Sequence, residues 1–165
     1  MGKESRSQAT AYHEAGHAVA CFMYDIKLHS ISIRPDEDSH GRVNHNNPLF
    51  RISDNAGDLS ASQRQRIERC VVIALAGNVA QRRFNPRSVR SHHAQNDFNK
   101  AADVLSHLSG SDKELQAYMN LLLIRAENLL MRMWPSVTAL ASSLLKESAL
   151  SGEQATAIIR GPWKR

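Results

Sequence analysis

His13 and His17 stand four residues apart, with Glu14 beside the first, in the run Ala11-Tyr-His-Glu-Ala-Gly-His-Ala18. On an α-helix that spacing stacks the two imidazoles on one face, about one turn apart. Two neutral imidazoles so placed can share one zinc ion. Glu14 lies one step round the helix, beside a zinc-bound water and outside the ligand set. The metal lowers the pKa of such a water to about 7, and the carboxylate takes its proton and later hands it to a leaving amine. That is the mechanical content of His-Glu-x-x-His. The same pattern also arises by chance in helices that hold no metal. Here a helical periodicity around the motif, small apolar flanks and a strand directly after it favour the zinc reading.

A catalytic zinc site takes three protein ligands and keeps one position open. The local run does not supply the third. Ala20 stands where the metzincin extension requires Gly, and Met23 where it requires His. No Glu-x-x-Asp helix of the thermolysin kind is evident. Glu68 and Glu127 qualify by residue type alone, and each reads better as part of a solvated helix face. Asp97, by its position alone, reads as a carboxylate at a helix start, stabilised by the macrodipole.

The elements that must carry these residues follow from periodicity. Residues 1–8 are polar and expected to fray. A helix is expected from about Ser7 to Tyr24, with Ala11, Ala15, Ala18, Val19, Phe22 and Met23 inward. Leu28 to Arg34 alternates as a strand, ended by Pro35. Asp36 to His40 reads as a turn and Gly41 to His45 as a returning edge strand. Asn46 to Leu59 is loop-like. Ser60 and Gln63 form a capping box that opens a long helix with Ile67, Val71, Ala74, Leu75 and Val79 buried, stopped at Asn85-Pro86. Arg87 to Gln95 reads as a polar loop, followed by a helix from about Asn96 to Leu108 that buries Phe98, Ala101, Ala102 and Leu105. Asp112 to Trp134 is strongly helical, with Leu115, Met119, Leu122, Ala126, Leu129 and Leu130 inward. Pro135 opens another helix carrying Val137, Leu140, Ala141, Leu144 and Leu145. Ser151 to Gln154 caps a last one ending near Arg160. The fold class expected is mainly α with a small β-sheet near the N-terminus (α+β): a zincin-like helix, a strand and edge-strand hairpin, and a helical C-terminal half.

The 165 residues fit one domain, 1–165, able to bury a core without disulfides. Hydrophobic residues make up 42% and aromatics 5%, so that core is aliphatic and alanine-rich, which suits packed helices. The formal net charge is +5, yet Lys and Arg are scattered, and nucleic acid is not an expected partner. Arg82, Arg83, Arg87 and Arg90 form the densest basic cluster, read as a solvated face, with contact to an acidic partner as the alternative. Cys21 and Cys70 lie in apolar runs at helical spacing and read as reduced, buried thiols, a bridge between them being the alternative. No signal peptide and no membrane-spanning run occurs, which implies a cytoplasmic chain, or one at the cytosolic face of a membrane if it is cut from a longer anchored protein.

Beyond the metal motif, the chain resembles the peptidase domain of FtsH-type membrane AAA zinc metalloproteases over nearly its whole length. Thr10 to Val19 is similar to that family's zinc helix. Ser30-Ile-Ser-Ile-Arg-Pro35 with Gly41-Arg-Val43 resembles its active-site and edge strands. Ile73-Ala-Leu-Ala-Gly-Asn-Val-Ala80 resembles its Ala-Gly-Arg-x-Ala helix, and Ala94-Gln-Asn-Asp97 with Ala101-Ala102 its Asn-Asp-x-x-x-Ala-Thr segment. Leu144 to Gln154 resembles its closing Leu-x-Gly-Glu segment. The first and fourth of these blocks together are specific. The resemblance implies that Asp97 is the third zinc ligand, with Zn2+ as cofactor.

Three departures stand out. No Gly-x-x-x-x-Gly-Lys-Ser/Thr run and no membrane segment occurs here, so the chain is either an excised domain or a stand-alone relative, and an AAA ATPase module is a partner only in the first case. Gln81 stands where the family usually has Glu, which reads as the loss of a supporting carboxylate. His92-His93 replaces a small Thr-Gly pair and places two imidazoles where they restrict the pocket or touch substrate. The family works in hexameric rings, whereas for this chain monomer and homo-oligomer both stand open.

A peptidase must hold an extended chain across its metal, and an exposed edge strand does so by β-augmentation. Gly41, Arg42 and Val43 are the candidate edge. Gly41 either admits a substrate backbone or only serves the hairpin turn. Taken together, the expectation is a zinc endopeptidase acting on unfolded or flexible polypeptides, with Glu14 as base, His13, His17 and Asp97 as ligands, and Gly41, Arg42, Val43, His92 and His93 facing substrate. The alternative is a non-catalytic relative that binds peptides or proteins.

Overall fold

The computed structural model describes residues 3–35, 41–49, 59–88 and 91–163, without the side chains of residues 3–5, 91–94 and 163. The first helix, α1, spans Lys3–Met23. It takes in residues 3–8, where Lys3, Glu4, Arg6 and Gln8 are all good helix formers; residues 1–2 of the stretch expected to fray lie outside the described residues. At its end Asp25 adopts a left-handed φ of 57°, which Asp tolerates better than most residues. The Ile26 N–H donates back to the Cys21 carbonyl at 2.9 Å and releases the chain into the sheet.

The sheet has the order β2-β1-β3. Strand β1, Leu28–Ser32, lies in the middle. Strand β2, Arg42–His45, pairs antiparallel with it, Val43 opposite Ile31. Strand β3, Ala149–Ser151, pairs on the other side, Leu150 opposite Ile31. The fold is thus mainly helical with a small antiparallel sheet, as expected, but the third strand comes from the far end of the chain. The expected turn at 36–40 and most of the loop before Leu59 lie outside the described residues.

Helix α2, Ala61–Phe84, opens on the expected capping box and ends at Asn85. It buries more than one stripe: Ile67, Val71, Val72, Ile73, Leu75, Ala76, Gly77 and Ala80 are all inside, because α1, α3 and α4 pack around it. Ala74 and Val79, expected inward, are only partly covered. Small residues let α1 and α2 come close. A Cβ added at Gly16 would lie 2.5 Å from the Ala76 carbonyl oxygen and 2.6 Å from the Ala80 Cβ.

After the 3-10 turn Pro86–Ser88, helix α3 runs Ser91–Ser106. It begins five residues earlier than expected, so residues 91–95 are helical and not a loop. Phe98 is a further correction. It is 43% exposed, while Ala101 and Leu105 are buried. The inward face runs through 97, 101, 104–105 and 108; residue 98 lies at its margin, about 20° from 105 by helical rotation and two turns nearer the helix start.

Helices α4, Asp112–Arg132, and α5, Trp134–Glu147, follow as expected, with Pro135 in the first turn of α5. Leu145, expected inside, is 39% exposed. Helix α6, Gly152–Arg160, opens on its Ser151–Gln154 capping box. The buried side chains of these elements form one continuous aliphatic cluster.

Two polar and aromatic groups tie the helices. The Tyr12 ring stacks on Phe84 with centroids 4.0 Å apart, and Arg83 lies 4.6 Å above the Trp134 ring, joining α1, α2 and α5 beside His13. Glu68 accepts hydrogen bonds from Tyr118 and Arg125, joining α2 to α4 and occupying that carboxylate away from the metal motif. Both cysteines are free thiols. Burial pushes Cys21 up to about 12 and Cys70 up to about 11.

Leu105 is fully buried and anchors α3, the carrier of Asp97. Leu105→Ala is expected to lower unfolding free energy by about 2–5 kcal/mol through lost burial and the cavity left behind, read from the urea midpoint at an unchanged m-value.

Candidate metal centre

The two helices α1 and α3 meet at one point through their polar side chains. His13 Nε2 and His17 Nε2 are 3.0 Å apart. Asp97 Oδ2 lies 3.1 Å from the first and 3.4 Å from the second. The stagger of one helical turn sets the two rings nearly edge to face, at 81°. Of the described residues, His13, His17 and Asp97 are the His/Cys/Asp/Glu group that could hold a metal ion. Zinc–ligand bonds of about 2.0–2.1 Å in tetrahedral geometry separate their donor atoms by about 3.3–3.4 Å. The triangle seen here is close to that size.

The hydrogen bonds behind the rings fix which atoms face inward. His17 Nδ1 lies 2.7 Å from the Ile73 carbonyl oxygen, an acceptor only, so Nδ1 carries the proton. His13 Nδ1 lies 3.1 Å from Gln81 Oε1 and donates to it likewise. With both rings neutral, the Nε2 atoms then point a lone pair at each other and at a carboxylate oxygen. Three such acceptors repel one another unless a proton or a metal cation sits among them. Such outer partners are what hold metal-ligating histidines in one tautomer.

The charges agree with that geometry. Burial works against a charge on His17, but the Asp97 hydrogen bond and charge outweigh it and hold its pKa up at about 9. Burial would also raise the Asp97 carboxyl, but hydrogen bonds from His13 and His17 overcome it and keep the group well below the usual carboxylate range. At neutral pH the bare cluster therefore keeps a proton, which an arriving ion must displace. Asn78 Nδ2 reaches Asp97 Oδ2 at 3.5 Å from α2.

Glu14 is 6% exposed and lies beside the triangle, not in it. Burial pushes its pKa up, with His17 and His13 pulling part of the way back. Its neighbour on the sheet side is Gly41. A Cβ there would fall 2.7 Å from Glu14 Oε1 and from the Thr10 methyl. Gly41 has no positive φ, so the requirement visible at this position is room for the Glu14 and Thr10 side chains.

Gly77 does the same for His17. A Cβ on it would lie 2.2 Å from His17 Nε2. A glycine in mid-helix costs about 1 kcal/mol relative to Ala, and that cost inside an otherwise strong helical run was the signal in the sequence that something must lie flat on it.

A cleft of about 500 Å³ opens over the cluster. Gly41, Arg42, Val43 and His45 line one side; Cys70, Ile73, Ala74, Ala101 and Val104 form an apolar wall; and Lys100 stands one turn beyond Asp97. Among the described residues strand β2 pairs with β1 alone, and its residues Arg42, Val43 and His45 border this cleft. Of the expected site residues, the fold brings together His13, Glu14, His17, Asp97, Gly41, Arg42 and Val43. His92 and His93 lie in the first turn of α3 and not in the expected loop; their side chains fall outside the described residues. Gln81, read from sequence as a lost support, is in contact with His13. Glu127 is exposed on α4.

No family model matches the chain, and no curated protein matches it.

Asp97→Ala removes one corner of the triangle, and Gly77→Ala drives a methyl into another. Both variants are expected to lose zinc affinity by at least about tenfold, measured by chelator competition. Gly77→Ala should keep its helix content because Ala is the better helix former. Wild-type affinity in both would show that the triangle is not the binding site.

Proposed function

We propose that this chain is a zinc-dependent endopeptidase that hydrolyses peptide bonds in unfolded or flexible polypeptides, and that it is a relative of the FtsH-type peptidase domain. The observation that carries this reading is the convergence of three possible ligand atoms, on His13, His17 and Asp97, with the Glu14 carboxylate beside them in an open cleft. The donor set of two imidazoles and one carboxylate fits zinc with a position left open. His13 Nε2, His17 Nε2 and Asp97 Oδ2 would hold the ion.

A zinc ion, when bound, supplies Lewis acidity toward water and toward the scissile carbonyl. The rest falls to the protein. Strand β2, an edge strand of the sheet among the described residues, would offer main-chain N–H and C=O groups to an extended substrate, aligning it across the cluster. Pairing through the main chain reads little sequence, so specificity is broad. The apolar wall from α2 and α3 takes a substrate side chain out of water. Glu14, wedged against Gly41, takes the proton of the attacking water and delivers it to the leaving nitrogen.

Glu14→Gln keeps the shape and the three donor atoms but removes the base. It is expected to bind zinc like the wild type and to cleave casein about 10²–10⁴-fold more slowly. Wild-type turnover in this variant would exclude Glu14 as the base. A zinc-loaded wild type that binds casein without cleaving it would favour the non-catalytic, peptide-binding reading.

These 165 residues contain no phosphate loop. Turnover by the chain is therefore expected to be indifferent to ATP, and to be slow on a folded substrate, which must first open locally. Cleavage of a stable domain as fast as of its denatured form, or stimulation by ATP, would contradict this.

A further inference from the structure

Gln81 sits on the last turns of α2 and faces two partners of opposite kind. Its Nε2 lies 2.9 Å from the Ser88 carbonyl oxygen and 3.4 Å from Ser88 Oγ. The Ser88 hydroxyl spends its own hydrogen on the Asn85 carbonyl at 2.7 Å, so it too turns a lone pair toward Gln81. That end of the side chain therefore meets acceptors and must be the NH2 end. The opposite end, Oε1, is then an acceptor, 3.1 Å from His13 Nδ1.

We propose that Gln81 is a positioning residue: its amide, oriented by the buried Ser88 of the Pro86–Ser88 turn, holds the His13 proton on Nδ1 and so turns the Nε2 lone pair into the cluster. A neutral amide, and not a carboxylate, is the matched group at this place. The resemblance to FtsH-type domains reads Gln81 as a support lost. The hydrogen bonds reverse that reading for this chain. A carboxylate here would set one oxygen on His13 and the other against two oxygens of Ser88, which is itself 3% exposed and cannot turn to water instead. The turn is held in place: Ser88 N–H donates to the Asn85 carbonyl at 2.9 Å, and Pro86 fixes the backbone between them. The relay Asn85–Ser88–Gln81–His13 therefore ties the end of α2 to a donor atom on α1.

This inference rests on the metal-binding reading of the cluster, and its test separates the two. Zinc affinity of the full chain is measured by chelator competition for wild type, Gln81→Glu and Gln81→Met. Long-range ¹⁵N–¹H spectra of the histidine rings are recorded in parallel. Both variants are expected to bind zinc about 10–100-fold more weakly than wild type. In Gln81→Met the His13 Nδ1–H signal should be lost to exchange, while that of His17, held by the Ile73 carbonyl, remains. A general loosening of the fold would broaden both. If Gln81→Glu does not fold, Gln81→Met decides alone. Wild-type zinc affinity in Gln81→Met, or equal or tighter binding in Gln81→Glu, overturns the relay while leaving the metal site standing. A wild type that binds no zinc overturns both.

Discussion

Three lone pairs pointed at one another across about 3 Å cannot rest without a positive charge between them. The Nε2 atoms of His13 and His17 and the Oδ2 of Asp97 are in that position. Their outer nitrogens are committed elsewhere, to the Ile73 carbonyl and the Gln81 amide. The protein has thus used its polar groups to hold an electrostatically unfavourable arrangement ready. In the bare chain a proton relieves it, seen in the raised pKa of His17. A dication relieves it better, because it meets all three acceptors at once.

The rest of the molecule makes that arrangement affordable. Helix α2 passes under α1 at a contact lined by Gly16, Ala76 and Ala80, where an added side chain would collide with backbone. That closeness lets the Ile73 carbonyl reach His17 and lets Gly77 lie flat beneath its ring. Helix α3 packs on α2 through Ala101 and Leu105 and so delivers Asp97 from the other side. The stacked Tyr12, Phe84 and Trp134, with Arg83 over the last, clamp the helix ends beside His13. The sheet adds Leu28, Ile31 and Leu150 to the core, and its strand β2 borders the cleft over Glu14.

Much of this was legible in the sequence, for reasons that differ by element. His13, Glu14 and His17 carry their geometry in their spacing, since one helical turn puts them together wherever that helix goes. The capping boxes at Ser60–Gln63 and Ser151–Gln154 mark their helix starts because the same residues satisfy the exposed backbone donors. Asp97 was different. It lies 80 residues from His17 along the chain, and local pattern made it only a helix-start carboxylate, so resemblance had to supply its role. The early start of α3 was hidden because Ser91 to Gln95 shows no apolar period. Strand β3 was hidden because three residues between two helices carry no alternation, and only pairing with β1 makes them a strand. Phe98 and Leu145 are apolar at helical spacing yet exposed, because buried positions are mostly apolar while apolar positions need not be buried. The role of Gln81 could not be read from the chain at all, because it depends on which end of the amide meets Ser88.

X-ray absorption at the zinc edge, on the zinc-loaded chain, tests the central claim most directly. The expected result is a four-coordinate ion with imidazole scattering from two histidines and only nitrogen and oxygen donors, at about 2.0–2.1 Å. A sulfur donor at about 2.3 Å, which Cys70 on the cleft wall could supply, or a six-coordinate hydrated ion without imidazole scattering, would contradict it.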